Sequence, residues 1–186
     1  METILFYLTL GFEHVTDFNG LDHFYFIMAL ALPYTYKQHT KLLWWVTLFT
    51  LGHTLSLVMS HYMGLTFSPY WIELLIPLTI FVSALPLAWQ FSPKQVKGAS
   101  VLTLLYGVIH GFGFGRYFGL IVDPEEAGLN LFSFALGVEL AQISIVVGVV
   151  TINYFLSKKP DILKFWQLSM GILILLMAGI MFFERI

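Results

Sequence analysis

Long apolar runs separated by short polar clusters constrain this chain more than any other feature of its sequence. Most of the runs are about 20 residues long, which is the length that an α-helix needs to cross the hydrocarbon core of a bilayer. They extend over residues 22–36, 42–62, 69–90, 99–122, 129–156 and 162–183. The pattern predicts an all-α fold, a polytopic transmembrane bundle of about six spanning helices.

The segment before the first run, residues 1–21, is apolar from Ile4 to Phe12 but too short to span a bilayer. We expect it to lie in the membrane interface or against the bundle, where it is a candidate lid. It has no basic stretch and no small-residue cleavage site, so a cleavable signal peptide is not predicted. No linker or clear repeat follows, so residues 1–186 are predicted to form a single integral membrane domain, with the six-helix bundle over residues 22–186.

Composition supports a lipid environment and excludes several partners. Of the 186 residues, 58% are hydrophobic and 11% are charged, and the mean hydropathy is +0.82. Soluble proteins carry about a quarter charged residues, so the bilayer is the expected partner. The net charge of -2 provides no basic patch for nucleic acid. Because cysteine is absent, the chain offers neither disulfides nor thiolate ligands.

The distribution of basic residues predicts an orientation. When six helices are threaded alternately, all the lysines fall on one side, whereas only Arg116 and Arg185 fall on the other. Lysine and arginine near helix ends collect on the cytoplasmic side. We therefore expect both termini to lie in the periplasm, with the chain in the inner membrane of a bacterium. The lysines are Lys37, Lys41, Lys94, Lys97, Lys158, Lys159 and Lys164.

A second feature is a set of ionisable side chains inside the predicted spans. A charge at the bilayer centre costs roughly 2.5 to 3.5 kcal/mol even on the scale derived from insertion experiments, so each residue needs a function or a partner. In the predicted orientation all of them fall in the outer half of the membrane, and the inner half contains no acid and no histidine. The residues are His23, His53, Glu73, His110 and Glu139.

Imidazoles and carboxylates that converge from different helices at one depth indicate a metal site in the core of a bundle. We predict that His23, His53 and His110 supply imidazoles to one centre. Further ligands are predicted to be Glu73, Glu139, His14 and Asp17. The last two reach the centre only if the amino-terminal segment folds over it. These donors suit a divalent transition metal such as nickel, cobalt or zinc, and they do not identify which.

Polar neighbours of the predicted ligands are expected to support them by hydrogen bonds. These neighbours are Asp22, Gln142, Thr54 and Ser56. Asp22 adjoins His23 in the sequence, but we expect its side chain to point away from that ring, and to cap the helix or support the site. Gln142 follows Glu139 by three residues and shares its helix face.

A structural interpretation of the same residues stays open at this point. A single buried histidine is often a satisfied hydrogen bond between helices, and for His53, beside Thr54 and Ser56, both interpretations are equally open. Glu73 and Glu139 are explained as well by protonated, hydrogen-bonded carboxyl groups. The structural interpretation accounts poorly for three histidines and two glutamates at one depth.

Five motifs in chain order resemble those of the HupE/UreJ family of small membrane proteins. They are HVTDFNGLDHF at 14–24, FTLGHTLS at 49–56, ELLIPLT at 73–79, HGFGF at 110–114 and FALGVELAQ at 134–142. Two departures indicate a divergent branch. The spacing between His14 and Gly20 is longer than in the commonest members, and Ala135 stands where many members have asparagine.

The resemblance implies hydrogenase or urease accessory functions and a nickel or cobalt permease.

When the buried polar residues are considered as well, two functions from different classes remain open. One is a permease that collects the metal ion on the periplasmic side. The other is a membrane-embedded, metal-dependent hydrolase near the outer leaflet, with Glu73 or Glu139 as the base. A metal sensor or storage protein is a third, weaker alternative. The resemblance favours transport, whereas the scarcity of polar groups in the inner half weighs against it.

Overall fold

The computed structural model describes residues 2–17, 20–89, 99–122 and 125–186, and in these residues it contains seven α-helices and no strand. The helices are α1 (Glu2–Thr16), α2 (Asp22–Ala31), α3 (His39–Met63), α4 (Pro69–Ala88), α5 (Ala99–Ile121), α6 (Ala127–Leu156) and α7 (Pro160–Phe183). One turn of 3-10 helix, Tyr36–Gln38, precedes α3. The predicted all-α fold is confirmed. Each of the last five apolar runs corresponds to one helix.

Proline and glycine set several helix ends. Pro69 and Pro160 are the first residues of α4 and α7, a position where the missing N–H group costs no helical hydrogen bond. Gly64 ends α3 with a φ of 61°, in the left-handed region where a side chain would be strained. Pro33 follows α2 by two residues and has no N–H to extend that helix.

Four helical segments are long and apolar enough to cross a membrane, within the described parts of the chain. They are Tyr36–Met63, Pro69–Ala88, Ala127–Leu156 and Pro160–Phe183. The protein is therefore an integral membrane protein, but the predicted count of six spans is not confirmed. The first predicted span is the 10-residue α2, which rises about 15 Å against a hydrocarbon core of about 30 Å. In α5, His110, Arg116 and several glycines lower the hydropathy.

Glycines let two pairs of helices approach each other closely. A Cβ atom at Gly52 would fall on the carbonyl oxygen of Leu104, and one at Gly107 would fall on that of Phe49. These reciprocal contacts bring the backbones of α3 and α5 together, as small residues do in membrane helix pairs. Gly11 and Gly137 likewise allow the backbones of α1 and α6 to approach each other closely. The close approach of α3 and α5 sets the distance between residues near Gly52 and Gly107.

Helices α1 and α2 lie end to end beside α5, and both run antiparallel to it. Four ring contacts occur in reverse order on the two partners. They are Tyr7 with Phe118, His14 with Phe114, His23 with His110, and Phe26 with Tyr106. Thus α1 and α2 run in the same direction, and the junction between them lies beside the middle of α5.

Basic residues define two ends of the bundle. The lysine end carries the start of α3 and the connection from α6 to α7, where Asn153 donates to the carbonyl oxygens of Leu32 and Tyr34. Its described lysines are Lys37, Lys41, Lys158, Lys159 and Lys164. The opposite, arginine end carries Arg116 and Arg185. Lys94 and Lys97 lie outside the described residues.

Candidate metal centre

Four imidazole rings from four helices converge beside the junction of α1 and α2. His23 on α2 is central, with its ring centroid 4.6 Å from that of His14 on α1. The centroid of His23 is also 5.3 Å from that of His53 on α3 and 5.1 Å from that of His110 on α5. The structure thus places the rings of His14, His53 and His110 each beside that of His23. That His53 and His110 bind one metal ion stays a prediction, because no group of ligand atoms among the described residues contains both.

Each of these rings has one buried nitrogen atom without a hydrogen-bond partner among the described residues. The atoms are Nε2 of His14, Nε2 of His23, Nε2 of His53 and Nδ1 of His110. Burying a polar atom without a partner costs about 1–3 kcal/mol, so four such atoms in one place need an explanation. A neutral imidazole nitrogen with a free lone pair is the commonest protein ligand of a metal ion, so a bound metal would supply the missing partner.

The possible ligand atoms form two overlapping groups. His14, His23 and His53 form one group, and Asp22, His23 and His110 form the other. Within each group, the atoms lie within 4.8 Å of one another. Because His23 belongs to both groups, the two form one continuous cluster. Three or four such donors suit a divalent transition metal.

Hydrogen bonds indicate which nitrogen of two rings is free to bind a metal. Oδ1 of Asp22 lies 3.0 Å from Nδ1 of His23, so the carboxylate accepts the Nδ1–H and leaves a lone pair on Nε2. Oγ1 of Thr79 lies 3.0 Å from Nε2 of His110 and donates its own proton to the carbonyl oxygen of Ile76. Thr79 must therefore accept the Nε2–H of His110, which leaves the lone pair on Nδ1. Both lone pairs are on the unpartnered atoms.

Two of these contacts differ from the sequence analysis. The expectation that Asp22 points away from His23 is wrong, because its carboxylate accepts both the ring Nδ1–H and the backbone N–H of His23. Thr79 was not among the predicted site residues. It is the last residue of the ELLIPLT motif at 73–79, but the motif gave it no role, and a hydroxyl inside an apolar stretch of α4 is a common feature.

Aromatic side chains surround the cluster. The ring of Phe114 lies 4.1 Å from that of His14, and Phe134 lies 6.1 Å from His53, measured between centroids. Phe49 lies 5.1 Å from His110 and is fully buried. Such walls exclude water and strengthen electrostatic interactions inside them.

Glu139 lies away from the imidazoles, and it belongs to neither group of ligand atoms in the described residues. Its carboxylate accepts a hydrogen bond of 2.7 Å from Thr47 and another from Thr50. These threonines precede His53 on α3, by about 9 and 4.5 Å along the helix axis. Glu139 is therefore displaced toward the lysine end, where the sequence analysis expected no acid.

Glu73 and Asp17 are also outside both groups. Glu73 is exposed near the arginine end, where it lines a cavity of about 670 Å³ together with Arg116. Asp17 is exposed and lines a different cavity, of about 540 Å³, together with Glu13 and His14. Of the four acids considered in the sequence analysis, the structure brings Asp22 alone to the rings.

The remaining predicted supporting residues lie on α3 and α6. Ser56 donates to the backbone carbonyl oxygen of His53 at 2.7 Å and so contacts the helix, not the ring. Thr54 is half-buried beside His53. Gln142 is buried, and its Oε1 lies 3.2 Å from the hydroxyl of Thr50, in the same polar group as Glu139.

The fold and the site define a class of protein: a helical integral membrane protein with a buried cluster of imidazoles at the junction of two short helices. Within that class, the chain belongs to the HupE/UreJ family, because the family model described as HupE / UreJ protein matches residues 1–185. The family membership expected from the motifs is thereby confirmed. No curated protein and no solved structure matches the chain.

Proposed function

We propose that the protein is a permease for a divalent transition metal of the nickel or cobalt type, and that the four imidazoles bind the ion during transport. The observation that carries this proposal is the set of unpartnered nitrogen atoms on His14, His23, His53 and His110, whose rings converge inside the bundle. Family membership supports metal handling. The ion is the cargo of the protein, and neutral imidazoles bind it without adding fixed charge.

An acidic vestibule supports entry from the arginine end. Glu13 and Asp17 are exposed on the wall of the cavity of about 540 Å³, and His14 lines the same cavity. Carboxylates at a cleft raise the local concentration of cations. Since His14 also belongs to the group with His23 and His53, it connects the vestibule to the buried cluster. We assign Asp17 and Glu13 to ion capture at this mouth.

We also propose that α1 and α2 together form one discontinuous crossing, which with α3 to α7 makes six. Transporters place their binding sites at such interruptions, where helix ends meet in the middle of the bundle. The rise of α3 puts His53 about 21 Å from its lysine end and about 15 Å from its other end. The lysine end then faces the cytoplasm of a bacterial inner membrane, and both termini face the periplasm.

The hydrolase alternative receives less support from the positions of the acids. A general base must lie within hydrogen-bond reach of a metal-bound water. Glu73 is exposed near the arginine end, and Glu139 accepts two threonine hydroxyls toward the lysine end. Asp22 is close enough, but it accepts the Nδ1–H of His23. Neither residue proposed as the base from the sequence lies in the site.

Metal uptake into proteoliposomes tests the permease directly. We expect saturable uptake of nickel or cobalt by the purified wild-type protein and loss of uptake in His110→Ala, which removes one buried ligand. His39→Ala is the control, because His39 is exposed and its ring contacts the carbonyl oxygen of Tyr36. Tight binding of metal by the wild type without any uptake would contradict transport and favour the hydrolase or storage alternatives.

A further inference from the structure

A third cavity lies on the lysine side of the imidazoles, between α2, α4 and α5. Its volume is about 120 Å³, which is room for about four water molecules at about 30 Å³ each. We name it the inner chamber. Its walls are formed mainly by Phe26, Tyr34, Ser83, Thr103 and Tyr106, with Val82, Pro86 and Leu102 among the remaining lining residues.

The inner chamber gathers oxygen atoms in an otherwise apolar lining. The side chain of Tyr34 is almost fully buried, and its hydroxyl has no hydrogen-bond partner within the described part of the chain. Ser83 and Thr103 contribute further hydroxyls. Pro86 has no N–H to donate to the carbonyl oxygen of Val82, so that oxygen lacks its helical partner.

The same proline effect is visible elsewhere on α4. Pro77 leaves the carbonyl oxygen of Glu73 without a helical donor, and Nη1 of Arg185 binds that oxygen at 2.8 Å. A freed carbonyl on this helix thus attracts a cationic group. At Val82 the freed carbonyl belongs to a residue that lines the inner chamber.

A polar path along α4 connects the chamber to the imidazoles. Thr79 accepts the Nε2–H of His110, and Ser83, one turn further toward the lysine end, donates to the carbonyl oxygen of Thr79 at 2.8 Å. Hydroxyl and carbonyl oxygens bind a divalent ion more weakly than converging imidazoles do. A transport pathway requires weak binding at the point where the ion must leave, because a tightly bound ion would not be released.

One aromatic ring separates the chamber from the site. Phe26 lines the chamber, and its centroid lies 5.6 Å from that of His110. The ring stacks on Phe49 at 4.7 Å and meets Tyr106 at 5.8 Å, which holds it in place. Its side chain is almost fully buried, and it contacts the chamber on one side and His110 on the other.

We propose that the inner chamber is a second cation station, which takes a partly hydrated divalent ion after the imidazoles release it, and that the Phe26 ring is the barrier between the two. This inference rests on the proposed function as a permease. The described residues that line the inner chamber contribute hydroxyl groups and no carboxylate, so the ion meets no second tight site there.

The first test compares two phenylalanines of equal burial. Phe26→Leu shortens the barrier, whereas Phe118→Leu makes the same change at a ring outside the chamber, near the arginine end. We expect nickel uptake into proteoliposomes to rise several-fold in Phe26→Leu relative to Phe118→Leu, with equilibrium binding of nickel in detergent unchanged in both. Equal uptake by the two variants would overturn the barrier, whereas absence of uptake by the wild type would overturn the permease itself.

The second test does not depend on transport. Because the chain has no cysteine, Ser83→Cys introduces a single thiol into the chamber. Ser144→Cys is its matched control, since Ser144 also donates to a carbonyl oxygen one turn earlier but is exposed on the outer face of α6. A charged, membrane-impermeant methanethiosulfonate added from the lysine side of membrane vesicles should modify Ser83→Cys and spare Ser144→Cys. Failure to modify Ser83→Cys would show that water does not reach the chamber from the lysine side and would overturn the station.

Discussion

His23 is the residue on which the whole cluster depends. It is the histidine that both groups of ligand atoms share. Its ring centroid lies within 5.3 Å of the centroid of each of the other three rings. Asp22 fixes its orientation through Nδ1. Loss of this ring therefore affects both groups at once, whereas loss of His53 or His110 leaves one group intact.

We predict that His23→Ala weakens metal binding more than any other single histidine substitution, by about 100-fold or more, because even residues behind the ligands cost 10–100-fold. Isothermal titration of the purified protein with nickel measures the change. His53→Ala and His110→Ala are the comparison, and His39→Ala should bind like the wild type. Equal losses in all three buried variants would contradict the central position of His23.

A second prediction concerns the charge of Asp22. Asp22→Asn keeps an oxygen that accepts the Nδ1–H of His23 but removes the charge that makes Nε2 a stronger donor, so we expect metal affinity to fall about 10-fold. Asp22→Ala also removes the acceptor and should cost about 100-fold. The same titration measures both, with Asp161→Asn, at an exposed position, as the control. Wild-type affinity in Asp22→Ala would show that the carboxylate does not orient the ring.

At the scale of helices, the distance between α3 and α5 determines whether His53 and His110 share a site. Gly52 and Gly107 let the two backbones meet, and His53 directly follows Gly52. A side chain at either glycine would push the helices apart. The interface between α3 and α5 thus sets the distance between the imidazoles of His53 and His110. The stability of the protein and its metal affinity should therefore change together.

Gly107→Ala tests this helix pair. Its Cβ atom meets a backbone carbonyl oxygen of α3, and overpacking of this kind costs about 1–3 kcal/mol, so we expect a lower melting temperature in detergent and weaker nickel binding. Gly148→Ala is the matched control. Nothing lies within 4 Å of its added Cβ atom, and alanine favours a helix over glycine by about 0.5–1 kcal/mol. If Gly107→Ala were as stable as Gly148→Ala, the close contact between α3 and α5 would not contribute to stability, and this prediction would be wrong.

At the scale of the whole molecule, charge is segregated between the two ends. The described lysines lie at one end, Arg116 and Arg185 lie at the other, and the acidic vestibule lies on the arginine side of the imidazoles. Basic residues near helix ends resist translocation, so this asymmetry predicts how the bundle sits in the membrane. In the orientation that we propose, the cluster would open to the periplasm through the vestibule, and the inner chamber would lie toward the cytoplasm.

Reporter fusions test that orientation. We expect alkaline phosphatase to be active when fused after Ile186 and inactive when fused at Lys158, because the enzyme folds only outside the cytoplasm. Green fluorescent protein at the same two positions should show the opposite pattern, which controls for expression. Phosphatase activity at Lys158 alone would reverse the orientation and place the vestibule on the cytoplasmic side.

Hydropathy and residue order alone were sufficient for the all-α class of fold and for the family, and they also singled out His23, His53 and His110 as buried polar residues. An apolar run of spanning length indicates directly that its helix is surrounded by lipid. An imidazole inside such a run is conspicuous because burying it is costly. The five later runs, 42–62 to 162–183, correspond to α3 to α7 for this reason. His14 was also identified, although its place at the site depended on how the first segment folds.

The positions of the carboxylates depended on packing that the sequence does not report. Depth along a helix can be read from residue number, but the face that a side chain presents and the partner it meets depend on how helices rotate and approach. Glu139 faces two threonines of α3, Glu73 faces an open cavity, and Asp22 turns back to its neighbour. Thr79 and the inner chamber are likewise products of contacts between residues far apart in the chain. Apart from the contact between Asp22 and His23, long-range contacts assemble the site, and local sequence pattern does not specify them.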